Sequence, residues 1–228
     1  MILFVLSLIS FSFYVFLTCV LTQFHGKLRS FALIEIIIIL VLFLWSYLSA
    51  SFSDPGFLPY NWIRTQEDWY SWEDQLNGLA NTPEQFSFVD MNSKHGKPAN
   101  TSFSRSAGRY VVRADHICQW ICNWVGKRNH KQFLLMIFWG FIYCISLVIW
   151  SLLIKTSEIS QFHYALVAVS IVLELTFAFI LIFSFIGSFL LVISAQLQIQ
   201  VWKKRPPEEK TKMEALREVF GNDHICLW

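Results

Sequence analysis

Four long apolar runs constrain this chain more than any other feature of its sequence. Each run reaches the roughly 20 apolar residues that a helix needs to cross the hydrocarbon core of a bilayer. The runs cover residues 1–24, 30–53, 132–154 and 159–202. Only 15% of the chain is charged, against about 25% in a typical soluble domain. This composition excludes a disordered chain, a basic nucleic-acid-binding domain and an ordinary soluble enzyme.

The runs predict an all-α membrane protein with four transmembrane helices. We expect the first run to be retained rather than cleaved as a signal peptide, because it lacks a basic leading segment and a small-residue cleavage site. In the fourth run, the apolar part at 165–193 would be about 43 Å long as a helix. That length is too great for one upright span and too small for two, so we expect one long helix that projects beyond the bilayer.

The connecting segments predict which side of the membrane each part occupies. Two short turns, 25–29 and 155–158, hold three Lys and Arg, whereas the loop 54–131 holds nine and the tail 203–228 holds six. With four spans, the loop and the tail lie on the same side, and basic residues favour the cytoplasm. We therefore expect a small irregular cytoplasmic domain between the second and third spans, with polar residues 90–108 forming irregular structure.

Two carboxylates and one aromatic segment stand out within this plan. Glu35 and Glu174 are ionisable groups inside apolar runs, and such residues are functional candidates by default. The competing interpretations are that Glu35 reaches the membrane interface and that Glu174 pairs with a polar group on another span. Residues 54–86 are rich in Trp and Tyr, which fits either an interfacial segment or a packed helix.

A thiol, an imidazole and a carboxylate lie together just before the third run, in Asp115, His116 and Cys118. An imidazole can take the proton of a thiol and so produce the nucleophilic thiolate. A carboxylate can orient that imidazole and stabilise its cation. In an extended segment, residues two apart share a face, so His116 and Cys118 would point the same way and Ile117 the opposite way.

A metal site is the alternative interpretation of the same segment. Its ligands would be His116, Cys118, Cys122 and His130. Their spacing departs from the usual zinc patterns.

Beyond these four residues, the segment resembles the DHHC-type protein S-acyltransferases, or palmitoyltransferases. The family pattern is D-H-H-C-P-W-x-x-N-C-V-G-x-x-N-x-x-x-F. Nine residues match it in register: Asp115, His116, Cys118, Trp120, Asn123, Val125, Gly126, Asn129 and Phe133. Further matches are Asp54-Pro55-Gly56, Lys97-Pro98 and Val219-Phe220-Gly221. The resemblance implies four spans with the catalytic segment between the second and the third.

The chain departs from the family at the metal ligands. The family folds this segment around two zinc ions held by eight Cys and His residues. The corresponding positions here are Asp90, Ser93, Phe103, Ser104, Ala107, Tyr110, Ile117 and Trp124. No plausible ligand set remains, so we expect no zinc. We expect the apolar replacements Phe103, Tyr110, Ile117 and Trp124 to fill the vacated volume as a small core.

Two family motifs after the last span also differ. The family's T-T-x-E is Leu197-Gln198-Ile199-Gln200 here, and the asparagine before V-F-G is Ala215.

The resemblance implies a two-step acyl transfer without a prosthetic group. Cys118 attacks the thioester of a long-chain acyl-CoA such as palmitoyl-CoA, with His116 as base and Asp115 holding it. The acyl group then passes to a membrane-proximal cysteine of a substrate protein. Basic residues near the site are candidates for the CoA phosphates, although they equally fit general cytoplasmic positive charge. They are Arg113, Lys127, Arg128 and Lys131.

The expected setting is a multi-pass protein of endomembranes (endoplasmic reticulum, Golgi or plasma membrane) with a cytoplasmic active site. Its partners would be substrate proteins and the lipid bilayer, with no nucleic acid. Two alternatives remain: a catalytically inactive relative that serves as a membrane scaffold or partner subunit, and a membrane protein without acyl chemistry.

The predicted sidedness can be tested at a glycosylation sequon. Asn100-Thr101-Ser102 lies in the long loop, and a cytoplasmic loop never meets the glycosylation machinery. We expect Asn100 to carry no sugar in eukaryotic cells, so glycosidase treatment should not change the mobility of the protein. A sugar on Asn100 would place the loop in the lumen and contradict the acyltransferase interpretation, because acyl-CoA is cytosolic.

Overall fold

The computed structural model of the chain describes residues 1–58, 100–155, 160–204, 206–207 and 209–221. Within this part, four helices are long and apolar enough to cross a membrane, which confirms the predicted fold class. Helix α1 (Ile2–Val15) continues through a π turn (Phe16–Val20) and a 3-10 turn (Leu21–Gln23). The other three are α2 (Gly26–Phe52), α3 (His130–Leu152) and α4 (Gln161–Ile193).

The fourth span differs in one respect from the prediction. Helix α4 is a single helix of 33 residues, which corresponds to about 50 Å. It ends at Ile193 rather than at residue 202, because Ala195 adopts a left-handed backbone with φ +51°. A separate short helix, α5 (Gln198–Trp202), follows the break.

Residues 1–51, 119–122 and 132–190 form one compact unit, built from the spans. Its helices approach closely at Gly140, where an added Cβ would lie 3.0 Å from Phe43 and 3.2 Å from Leu181. Polar side chains pair inside the unit, since the Ser12 and Tyr143 hydroxyls are 3.2 Å apart. Large apolar side chains such as Phe179, 65% exposed, face outward, as expected of lipid-facing positions.

The two carboxylates of the spans have partners within this unit. The Trp150 indole Nε1 donates to Glu35 Oε2 at 2.9 Å. Glu174 is buried, and its Oε1 accepts from Ser170 Oγ at 2.6 Å. Because Ser170 lies one turn earlier on the same helix, this hydrogen bond is not the expected pairing with another span.

The second compact unit comprises, among the described residues, 52–58, 100–118, 123–131 and 191–221. It contains two antiparallel hairpins and the last two helices. The hairpins pair β1 (Thr101–Ser104) with β2 (Arg109–Val112) and β3 (His116–Cys118) with β4 (Asn123–Val125). The helices are α5 and α6 (Lys212–Phe220). Strand β1 shows that the prediction of irregular structure at 90–108 was wrong for residues 101–104.

Several sequence features lie outside the described residues. They are the Trp-rich part of 54–86 beyond residue 58, Lys97-Pro98, and the family zinc positions Asp90 and Ser93.

Aromatic packing occupies the hairpins, in agreement with part of the expected apolar core. The Phe103 and Tyr110 rings meet edge to face with centroids 5.2 Å apart, and Tyr110 is buried in a cluster with Leu58. Trp124 is buried in a second cluster. The expectation was wrong for Ile117, which is 62% exposed. In strand β3 it points away from its two neighbours, because successive side chains alternate between faces.

Residues that match the family pattern form the turn after β4. The buried Asn129 accepts from Gly126 N at 2.9 Å and donates to Trp124 O at 2.7 Å. Asn123 Nδ2 donates to Ser53 O at 2.9 Å, which ties the hairpin to the segment after the second span. Gly126 lies against Pro55, so the D-P-G segment and the turn are packed backbone to backbone.

This close packing predicts that Gly126→Ala destabilises the protein. The added Cβ would collide with Pro55 O and lie 2.8 Å from Val111 Cγ1. Overpacking of this kind costs about 1–3 kcal/mol. Thermal denaturation in detergent, followed by size-exclusion chromatography, should show a lower melting temperature. Gly187→Ala is the matched control, since nothing lies within 4 Å of the added Cβ, and an unchanged melting temperature of the Gly126 variant would contradict the packing.

Candidate active site

Strand β3 and the residue that precedes it bring Asp115, His116 and Cys118 together. His116 Nδ1 lies 2.8 Å from Asp115 Oδ2, and a side-chain hydrogen bond links His116 to Cys118. The strand conformation confirms the predicted extended segment and puts His116 and Cys118 on one face. Cys118 is 6% exposed and Asp115 is 3% exposed, so the thiol and the carboxylate are both buried, and the imidazole between them is more exposed.

Asp115 is held by four hydrogen bonds. Its N–H donates to Val125 O at 2.8 Å, so its backbone is bonded to the end of β4. Its Oδ1 accepts from Gln198 N at 2.7 Å, and its carbonyl accepts from Ile199 N at 3.1 Å. With the bond from Oδ2 to His116, every oxygen of this buried residue has a partner, so its orientation is fixed.

Electrostatic interactions favour the charged forms of the carboxylate and the imidazole. Burial raises the pKa of Asp115, but His116, His130 and the Gln198 N–H outweigh that effect and hold the pKa below its usual value. Burial likewise lowers the pKa of His116, yet its hydrogen bonds to Asp115 and Cys118 raise it to about 9. At neutral pH the imidazole therefore keeps its proton.

A protonated imidazole beside a thiol favours the thiolate, which is the nucleophilic form of cysteine. The same imidazolium can later donate its proton to a leaving thiolate. Asp115 plays the orienting role of the third member of a nucleophile–base–carboxylate arrangement. The site can therefore carry out nucleophilic acyl transfer.

Two of the basic residues considered for CoA phosphates lie beside helix α6, the helix of the tail. Arg113 is buried, and its Nε is 3.4 Å from Glu218 Oε1. Lys127 Nζ is 3.3 Å from the same oxygen.

The other two basic residues contact different partners. Arg128 Nη1 is 3.3 Å from Asp54 Oδ2, with 39% of its side chain exposed. Lys131 Nζ donates to Phe220 O at 3.5 Å. The assignment of these four residues to CoA phosphates stays a prediction.

The described residues at the family's zinc positions do not fit a metal. They are Phe103, Ser104, Ala107, Tyr110, Ile117 and Trp124. They offer two hydroxyls, from Ser104 and Tyr110, and none of the thiolate, imidazole or carboxylate ligands that zinc prefers. The alternative set His116, Cys118, Cys122 and His130 is not gathered into a metal-binding group in the described part of the chain. That the protein contains no zinc stays a prediction.

Sequence reasoning missed the residues that hold Asp115 from the far end of the chain. Gln198 and Ile199 lie in the segment that departs from T-T-x-E, and their contribution is made by backbone N–H groups. A backbone donor does not depend on the side chain, so this departure left no sequence signal. His130 was considered only as a metal ligand, whereas its buried ring interacts electrostatically with Asp115 and His116.

Comparisons with known proteins identify the family of the chain. The sequence model of the DHHC palmitoyltransferase family matches residues 90–212, which is more than half of the chain. The chain therefore belongs to the DHHC palmitoyltransferase family.

Individual relatives give the same result. Probable protein S-acyltransferase 14 of Arabidopsis thaliana is 33% identical over 159 residues, covering 62% of this chain and 51% of the relative. Probable protein S-acyltransferase 13 of the same plant is 28% identical over 210 residues, covering 82% and 67%. Palmitoyltransferase AKR1 of Candida albicans is 33% identical over 112 residues, covering 47% and 13%. The chain spans about half the length of the first of these relatives.

The raised pKa of His116 predicts a pH-dependent thiol. Because the folded pKa of about 9 exceeds the ordinary value of about 6.5, the ion pair stabilises the fold fully below pH ~6.5 and is lost as pH rises through ~9. In Asp115→Asn, we expect a lower His116 pKa and alkylation of Cys118 by iodoacetamide about tenfold slower at pH 7, since one pKa unit is a tenfold change.

At pH 10 the two proteins should react at similar rates, because the thiol then ionises without help. Mass spectrometry of the Cys118 peptide separates its reaction from that of the exposed Cys122. Equal rates at pH 7 would contradict the role given to Asp115.

Proposed function

We propose that this chain is a protein S-acyltransferase that moves a long-chain acyl group (palmitoyl) from acyl-CoA to cysteines of substrate proteins. The observation that carries the proposal is the contact of His116 with both Asp115 and Cys118. The carboxylate–imidazole bond is 2.8 Å long, and a side-chain hydrogen bond links the imidazole to the thiol. Family membership supports palmitoyl transfer in general.

In the first step, the Cys118 thiolate attacks the carbonyl carbon of the acyl-CoA thioester. A new carbon–sulfur bond forms, and the bond to the CoA sulfur breaks. The CoA thiolate leaves and takes the proton held by His116, so the products are acyl-Cys118 and CoA. Asp115 keeps the imidazole ring aligned throughout and stabilises its cation.

In the second step, the thiol of a substrate cysteine attacks acyl-Cys118. Neutral His116 accepts the proton of the incoming thiol, and the Cys118 thiolate leaves. The second step restores the starting ion pair, so no oxidant, reductant or metal is needed. The substrate cysteine must reach the site from a membrane-proximal segment, because Cys118 precedes the start of span α3 by only twelve residues.

The chain is a multi-pass membrane protein, and we place its active site on the cytoplasmic side of an endomembrane, where acyl-CoA is available. The basic loop and tail support this orientation. Within the loop, the candidates that would meet the CoA phosphates are Arg113, Lys127, Arg128 and Lys131.

The proposal predicts that Cys118→Ser abolishes acylation of the protein by palmitoyl-CoA and transfer to a cysteine acceptor. The acyl group on the wild-type protein should be released by hydroxylamine, as a thioester is. Cys122→Ser is the matched control and should keep activity, since Cys122 is an exposed thiol whose Sγ donates to the backbone oxygen Gln119 O at 3.4 Å.

In the same assay, His116→Ala should slow acylation by about 10²–10⁴-fold, the usual contribution of a general acid–base, and Asp115→Ala should slow it less. Acylation that survives Cys118→Ser but disappears in Cys122→Ser would show that the nucleophile was wrongly assigned. A wild-type protein that takes no acyl group from palmitoyl-CoA would favour the inactive scaffold instead.

A further inference from the structure

The tail helix α6 is anchored at both ends and buries one side. At its start, Thr211 N donates to Glu214 Oε2 at 2.7 Å and Glu214 N donates to Thr211 Oγ1 at 3.3 Å, a reciprocal cap. At its end, Gly221 adopts φ +93°. Ala215 and Val219 are buried, and Glu218 lies one residue before the second of them. The helix therefore presents a carboxylate beside its buried side.

Three cations surround this carboxylate. Glu218 lies 3.4 Å from Arg113 Nε, 3.3 Å from Lys127 Nζ and 2.9 Å from Lys210 Nζ. The side chains of Arg113 and Lys127 are 7% and 17% exposed, so these two pairs are largely withdrawn from water. Burial acts to raise the pKa of Glu218, but the Arg113, Lys210 and Lys127 charges hold it below its usual value.

Arg113 connects this cluster to the catalytic residues. It lies two positions before Asp115 in a left-handed conformation with φ +48°, which a non-glycine residue rarely adopts. This turn ends strand β2 and delivers Asp115 to its hydrogen bond with Val125 O. A buried guanidinium needs a negative partner, and Glu218 supplies it.

The buried His130 is within electrostatic range of both the catalytic residues and the Arg113–Glu218 pair. Its ring is buried, and neither nitrogen has a hydrogen-bond partner among the described residues. Asp115, Arg113, His116 and Glu218 all interact electrostatically with it. The groups that act directly on His116 are Asp115 and Cys118.

We propose that Glu218 is a positioning residue for acyl transfer, which makes the tail helix part of the catalytic apparatus. By neutralising Arg113, it holds the left-handed turn that presents Asp115 to His116. The inference rests on the proposed function, and it assigns Arg113 to the support of Asp115 rather than to a CoA phosphate.

The test compares Glu218→Gln with Glu214→Gln in the full-length protein. Both variants remove one negative charge from α6, but Glu214 is fully exposed, and a glutamine at that position preserves the cap. With palmitoyl-CoA as donor, we expect Glu218→Gln to lower the maximal rate of self-acylation by about 10–100-fold, the size of effect that a small misplacement of catalytic groups produces. The half-saturating concentration of palmitoyl-CoA should stay unchanged, and Glu214→Gln should behave like the wild type.

The double variant Arg113→Gln, Glu218→Gln distinguishes positioning from loss of folding. Removing both members of a buried ion pair is far less harmful than removing one, so the double variant should recover most of the rate lost in Glu218→Gln. A double variant no faster than the single one would overturn the proposal. So would a Glu218→Gln protein whose maximal rate is normal and whose half-saturating palmitoyl-CoA concentration falls, because Glu218 would then be a competitor for CoA-binding cations.

Alkylation of Cys118 by iodoacetamide at pH 7 provides a readout that needs no acyl-CoA. We expect it to be slower in Glu218→Gln and restored in the double variant, because a displaced Asp115 no longer supports the His116 cation. This result would support positioning even if the wild-type protein failed to take an acyl group, an outcome that would count against the proposed function alone. Equal alkylation rates in all three proteins would overturn the inference.

Discussion

The second unit is organised around the buried carboxylate of Asp115. Burying a charge is strongly unfavourable unless hydrogen bonds and opposite charges compensate it, and here His116 and the Gln198 N–H both bond to it. The backbone of the same residue joins β4 and α5 through Val125 and Ile199. One residue thus orients the imidazole and connects the catalytic hairpin to the segment that follows the last span.

This arrangement explains how a DHHC segment can fold with a donor set that does not fit zinc. A metal would connect strands through its ligands, whereas here the strands are joined by ladder hydrogen bonds and by aromatic contacts such as Phe103 on Tyr110. Aromatic side chains bury large apolar areas and have preferred edge-to-face geometries, so they provide both cohesion and direction. Asn129 completes the framework by closing the turn that leads into α3.

The ionic states of the candidate site follow from where its charges are placed. His116 has one neighbour that stabilises its cation, Asp115, and one whose proton it can hold, Cys118. The proposed role of Glu218 uses the same kind of charge pairing. Arg113, in the left-handed turn before Asp115, is itself paired with a carboxylate. In both pairs, Asp115 with His116 and Glu218 with Arg113, each charged group lies beside one of opposite sign.

Much of this protein could be predicted from the sequence, because its strongest signals are local. Apolar length fixes the spans, since a helix must satisfy its backbone within the bilayer. Alternation along an extended segment placed His116 and Cys118 on one face, and the same alternation should have excluded Ile117 from the core. The break at Ala195 could not be foreseen, because a left-handed non-glycine residue has no pattern in the surrounding sequence.

The sequence by itself predicted the number of spans, the protein family and the proximity of Asp115, His116 and Cys118, since each depends on composition or on neighbours in the chain. Only the tertiary structure decided how those residues are held. Gln198 reaches Asp115 across 83 residues through a backbone N–H. Every residue except proline carries this donor. Glu218 meets Arg113 from the far end of the chain. Contacts between distant segments arise from packing in three dimensions, and no local pattern of residues encodes them.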